Sequence, residues 1–119
     1  MKENVLRDKS YDFALRVINA YKFLNKEQKE FVLSKQLLRS GTAIGALVRE
    51  AEYAQSVPDF INKLSVALKE ANETEYWFML LKDSDYISEN VYLSIINNCQ
   101  ELIRLLISSI KTAKQKIVH

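Results

Sequence analysis

The sequence predicts an all-α protein, an antiparallel up-down-up-down four-helix bundle built as a single domain over residues 1–119. Three observations carry this expectation. Four segments repeat apolar residues at helical spacing, and polar breaks of roughly four to six residues separate them, which forces antiparallel neighbours. Only two glycines and one proline occur in 119 residues, too few for a turn-rich sandwich or barrel. With 48% apolar residues the chain can bury a core and does not have the composition of a disordered segment.

The first helix is expected from about Ser10 to Leu24. Phe13, Val17, Ala20 and Leu24 fall on one face, Ala14, Ile18 and Tyr21 widen it, and Ser10 is the candidate N-cap. Asn25 to Lys29 reads as a polar connection. The second helix is expected from about Glu30 to Gln55, with Leu33, Leu37, Ile44, Leu47, Ala51 and Ala54 inward. Pro58 suits the first turn of a third helix, and Asp59 places negative charge where the macrodipole favours it. That helix runs to about Lys82 and turns Phe60, Leu64, Ala67, Ala71, Phe78 and Leu81 inward. After the break Asp83 to Tyr86, Ser88 caps a fourth helix reaching about Lys116. Val91, Ile95, Leu102, Leu105 and Ser109 form its main stripe, with Cys99, Leu106, Ile110 and Ala113 beside it.

Both glycines lie inside the second helix, as Gly41 and Gly45, where each costs roughly 1 kcal/mol relative to alanine. Four residues apart, they share a face and make a flat strip for close approach of another backbone. Packing against a sibling helix explains the pair most simply; a local bend and a subunit contact are the alternatives. A phosphate-binding loop is not expected, because no Gly-rich turn follows a strand and no Gly-Lys-Ser/Thr appears.

A single cysteine and a single histidine, the terminal His119, exclude a disulfide scaffold, the usual zinc sites and a Cys-His nucleophile within one chain. Glu70, Glu73 and Glu75, with Glu50 and Glu52, lack the Glu-x-x-His partners of a carboxylate-bridged metal site. No metal or other cofactor is therefore expected. Glu70 and Glu73 are instead expected to pair with Arg39 or Arg49 across the second and third helices. The aromatics Tyr53, Tyr76, Trp77, Phe78, Tyr86 and Tyr92 suit core and interface packing better than base stacking, since Glu73 and Glu75 flank their centre. Cys99 reads as a small buried hydrophobe. No acid, base and nucleophile converge, so an enzyme is not expected.

The net charge of +2 hides an uneven distribution. Residues 1–49 carry ten basic and five acidic side chains, 50–101 three and ten, and 102–119 four and none. If the first and last helices are neighbours, Arg16, Lys22, Arg104, Lys111, Lys114 and Lys116 form a candidate basic surface for RNA or DNA, opposite an acidic third helix. The same polarity suits head-to-tail assembly of identical subunits. Leu15, Leu38, Val48, Ile103 and Ile107 fall off the core stripes, an apolar surplus that suits a subunit interface. Gly41, Gly45, Arg39, Glu50, Glu73 and Trp77 are the candidate packing or interface residues. The charged N-terminus lacks a signal-peptide core, no run approaches the length of a membrane span, and an unpaired cysteine suits the cytoplasm.

From Phe31 to Ile87 the chain resembles the 23S ribosomal RNA intervening-sequence protein family. The carrying residues are Val32 to Ala46 followed by Arg49-Glu50-Ala51, then Asp59 to Ala71 with Glu73-Thr74-Glu75-Tyr76-Trp77. Glu101-Leu102-Ile103 and Ser109 to Lys114 extend the likeness over nearly the whole chain. The resemblance implies a four-helix bundle assembled as a homopentameric ring, with no assigned biochemical role. A related branch, the accessory proteins of diversity-generating retroelements, forms a basic pentamer that binds a reverse transcriptase and its RNA. The expected function is thus a non-enzymatic homo-oligomeric interaction protein, with a nucleic-acid-binding accessory protein as the alternative.

Overall fold

The computed structural model describes the backbone of residues 4–118 and the side chains of residues 5–117. Met1 to Glu3 of the charged N-terminus and the lone histidine, His119, lie outside the described residues. Four helices follow one another: α1 (Asn4–Lys26), α2 (Leu33–Glu52), α3 (Val57–Asp83) and α4 (Glu89–Val118). They form a rod of 52 × 23 × 21 Å. The backbone of α1 lies beside those of α2 and α4, and that of α3 beside those of α2 and α4; the diagonal helices meet only through core side chains. The chain is therefore the expected all-α bundle, with short turns placing consecutive helices side by side.

The core follows the helical stripes. Phe13, Val17 and Leu24 of α1 meet Leu37 and Ile44 of α2, Leu64, Phe78 and Leu81 of α3, and Leu102 and Leu106 of α4. Phe13 and Phe78 stand edge to face with centroids 6.4 Å apart, a favoured aromatic geometry. Three expectations need correction here. Val48, assigned to the outer surplus, is only 4% exposed and belongs to the core. Val91, assigned to the core stripe of α4, is 50% exposed; the stripe starts at Ile95 and runs through Cys99, Leu102, Leu106 and Ala113. Ala20, Leu33, Leu47, Phe60 and Leu105 are only partly buried and pack against the core from its edge.

The helix ends show which local signals count. α1 is already formed at Asn4, the first described residue, and Leu6, one helical repeat before Phe13, extends the apolar stripe through the charged start of the chain. Ser10 is therefore no cap: it is buried inside the helix, and its hydroxyl donates to the Arg7 carbonyl at 3.0 Å. Glu30 does not start α2 either. It precedes the helix, and its carboxylate accepts the N–H groups of Val32, Leu33 and Ser34 at 3.1, 2.8 and 2.7 Å. The acid thus satisfies the orphan donors at the positive end of the α2 dipole. α2 ends at Glu52, three residues before the expected Gln55. Ser56 then caps α3, its hydroxyl accepting from the Asp59 N–H at 3.2 Å, while Asp59 accepts from the Gln55 N–H at 3.2 Å. The pair works as a variant of the capping box, with Asp59 reaching the residue before the cap instead of the cap itself. Ser88 caps α4 as expected, accepting from the Val91 N–H at 3.2 Å.

Candidate functional site

Three groups of candidate residues occupy different parts of the bundle. The glycines lie in the seam between α1 and α2. A methyl group on Gly41 would sit 2.7 Å from both γ-carbons of Val17, and one on Gly45 would sit 3.4 Å from the Ser10 carbonyl oxygen. Packing against a sibling helix therefore accounts for the pair. Below them in the core, the Thr74 hydroxyl meets that of Ser40 at 2.8 Å, fixing the register of α2 against α3.

On the outer side of the α2–α3 seam, Arg39 reaches Glu70 at 3.2 Å and also bonds Glu73. The Trp77 indole N–H donates to the same Glu73 carboxylate at 2.9 Å. Arg39 fulfils the expected pairing and Arg49 does not, because Arg49 sits on the α1 side of α2 beside Arg7 and Tyr11. Glu50 instead approaches Lys63 at 3.8 Å. These groups remain partly exposed, so each pair contributes at most about 1 kcal/mol; their effect is on geometry more than on stability.

The six basic residues proposed as one surface do not share a face. Arg16 is tied down in the α1–α4 seam, donating to the Ser94 carbonyl at 3.4 Å, the Ser94 hydroxyl at 3.1 Å and the Asn98 side chain. Lys22 lies farther toward the α1 C-terminus and is exposed. Lys116 lies about 27 Å beyond Asn98 along α4 at about 1.5 Å per residue. Lys111 and Lys114 face the opposite flank, beside Leu68 of α3. α1 and α4 are neighbours as anticipated, but 3.6-residue periodicity turns their lysines to different sides. The aromatics are likewise dispersed: Phe78 is core, Tyr53 is exposed at the α2–α3 turn, and the Tyr92 ring lies 4.5 Å beneath the Lys82 ammonium.

The grooves on the described surface include three larger ones. One of about 760 Å³ opens where the C-terminal half of α1 meets the start of α4, with Ala20, Phe23, Ile87 and Ile95 in its lining. A second of about 800 Å³ lies at the other end, between Leu6, Val48, Phe60 and Ala113. The third, about 480 Å³, runs between α3 and α4 and is lined by Leu68, Ile107, Ile110, Lys111, Lys114 and Gln115. Cys99 is buried, its thiol 3.4 Å from the Ala71 carbonyl. Burial pushes the thiol up to about 12, with a smaller contribution from the nearby Glu75 carboxylate, so it is a neutral group at physiological pH. Among the described residues, no three His, Cys, Asp or Glu side chains converge as metal ligands. No helix among them is long and apolar enough to cross a membrane.

The family model described as 23S rRNA-intervening sequence protein matches residues 2–108, nearly the whole chain. The chain belongs to this family. A solved relative is similar over the same fold: a protein of unknown function from the S23 ribosomal protein family of Bacteroides thetaiotaomicron VPI-5482. It is 64% identical, and the match has a TM-score of 0.91 and covers 93% of this chain and 99% of that one. No curated protein matches. Sequence reasoning missed the Glu30 cap, the Ser40–Thr74 bond and the α3–α4 groove. A signal existed for the first, since Glu30 stands one turn before Ser34; the other two depend on which helices become neighbours.

Proposed function

We propose that this member of the 23S rRNA-intervening sequence protein family is a non-enzymatic interaction protein that assembles from identical subunits in the cytoplasm, as the pentameric ring its family resemblance implies. The observation that carries the reading is the set of large apolar side chains left outside a complete core. Tyr11 and Leu15 on α1, Met79 on α3, and Leu93 and Ile107 on α4 are 44–54% exposed. They lie on separate helices, as a protein that contacts neighbours on two sides requires. The buried, neutral Cys99 and the half-exposed Arg39–Glu73 pair support a structural role over a chemical one. Size-exclusion chromatography with light scattering tests the proposal. A mass of five times the 13.8 kDa chain is expected, and a monomer across the accessible concentration range would overturn it.

The second reading, contact with RNA or DNA, is favoured by the last 18 residues, which carry Arg104, Lys111, Lys114 and Lys116 and no acid. Phosphate contacts of this kind give an affinity that falls steeply with salt. RNA titrated at low and physiological salt separates the readings: no binding at low salt removes the second.

A further inference from the structure

The α3–α4 groove differs from the other two in its charge. Leu68, Ile107 and Ile110 supply its apolar lining, and its only charged lining residues are Lys111 and Lys114. Ile110 is buried at the bottom, Leu68 is half-buried, and Ile107 is 50% exposed. Neither lysine has an ion-pair partner among the described residues. A complementary occupant is a helical strip with apolar side chains beside carboxylates, spaced to lie along a groove.

The chain itself carries one such strip. Asp8, Tyr11, Asp12 and Leu15 stand at i, i+3, i+4 and i+7 on α1, and all four are exposed. Tyr11 and Leu15 are large apolar groups that the bundle leaves uncovered. Asp8, Tyr11 and Asp12 share a shallow depression with Arg7 and Arg49; Asp8 pairs with Arg7 at 3.5 Å, and among the described residues no cation stands within 4.0 Å of Asp12. Arg7 is in turn drawn toward Glu52 of α2 at 3.7 Å. The acids of α3 are already engaged: Glu70 and Glu73 hold Arg39, and Glu75 accepts from Gln100 at 3.0 Å. The α1 strip cannot reach the groove of its own subunit, because it lies on the exposed outer face of α1 and the groove opens between α3 and α4.

We infer that the outer strip of α1, Asp8-Tyr11-Asp12-Leu15, docks in the Lys111–Lys114 groove between α3 and α4 of a second copy of this chain. The inference rests on the assembly proposed above and names its contact. Tyr11 and Leu15 cover Leu68 and Ile107, and the two aspartates meet the two lysines at the rim. The two surfaces are different, so the contact is heterologous: each subunit gives α1 to one neighbour and its groove to another, and the chain of contacts closes as a ring.

Charge reversal tests this on the full-length protein. D8K/D12K and K111E/K114E each replace attraction by repulsion at the rim, and each is expected to weaken assembly by about tenfold or more. The chain carrying all four changes restores the pairing with inverted sign and is expected to regain the mass of the wild-type protein. Circular dichroism and thermal melting confirm folding, since all four positions are exposed. If wild type assembles and both double variants keep its mass, or the quadruple variant fails to recover it, the contact is wrong and the assembly reading stands. If wild type is itself monomeric, both fall. Variants that assemble normally but lose RNA affinity at Lys111 and Lys114 overturn the contact in favour of a nucleic-acid surface.

Discussion

The two seams that flank α1 are closed by different chemistry. Toward α2, small residues bring the backbones together: Gly41 lies against Val17, Gly45 against Ser10, and the contact is continuous with the core. Toward α4, long polar side chains bridge a wider gap: Arg16 to Ser94 and Asn98, and Lys9 to Glu101 at 3.2 Å. Grooves of about 760 and 800 Å³ lie at the two ends of that second seam. Dispersion contact weakens steeply with separation, whereas a hydrogen bond between flexible side chains tolerates it. The α1–α2 seam is therefore expected to be the stiffer of the two, and the α1–α4 seam the first to open.

Gly41→Val is the largest way to break the comparison. Even a single β-carbon would stand 2.7 Å from the stiff, buried Val17 side chain, and a branched residue adds two more carbons. Overpacking of this kind costs about 3 kcal/mol, lowering the melting temperature by about 10 °C. Differential scanning calorimetry measures it; a variant that melts with wild type would show that the α1–α2 seam has slack.

Glu30→Ala comes next. It leaves the N–H groups of Val32, Leu33 and Ser34 without their carboxylate acceptor at the start of α2. A lost cap costs about 1–2 kcal/mol, and Glu30→Gln, which keeps an acceptor but not the charge, recovers part of it. Urea denaturation of the three proteins checks both statements. Identical midpoints would mean that water replaces the acid at no cost.

Arg16→Ala probes the other seam. Its hydrogen bonds to α4 join partly exposed groups, so their loss costs less than about 1 kcal/mol. Hydrogen exchange is the more telling measurement: amides near Ser94 and Asn98 should lose protection while those of α2 keep theirs. Equal loss in both would mean that the two seams open as one unit.

Which of these residues the sequence reveals depends on how far apart the interacting groups stand. The core stripes were legible because helical period alone fixes them, and Phe13, Leu37, Leu64 and Leu102 are where periodicity places them. Val48 and Val91 were misplaced because they stand at the edges of their stripes, where only the angle to a neighbouring helix decides burial. Ser10 carries a residue type that caps helices, yet the apolar Leu6 before it extends the helix past that signal. The six basic residues are divided between faces for a similar reason. Counting lysines along α1 and α4 ignores their rotation about the helix axis, which sends Lys111 and Lys114 toward α3. The Gly41–Gly45 strip was readable because two mid-helix glycines demand a cause, but not which neighbour supplied it.

Gly45→Ala is the smallest test and the most discriminating, because its sign is opposite to that of Gly41→Val. The new methyl group would meet the Ser10 carbonyl at 3.4 Å, the near limit of ordinary van der Waals contact. Against that small crowding, alanine restricts the unfolded chain and favours the helix by about 0.4–1 kcal/mol. A gain of a few tenths of a kcal/mol is expected, read as a small rise in melting temperature. If Gly45→Ala instead destabilises as Gly41→Val does, the whole four-residue strip sets the distance between α1 and α2. If it stabilises, one contact, Gly41 on Val17, sets that distance, and Gly45 adds only room.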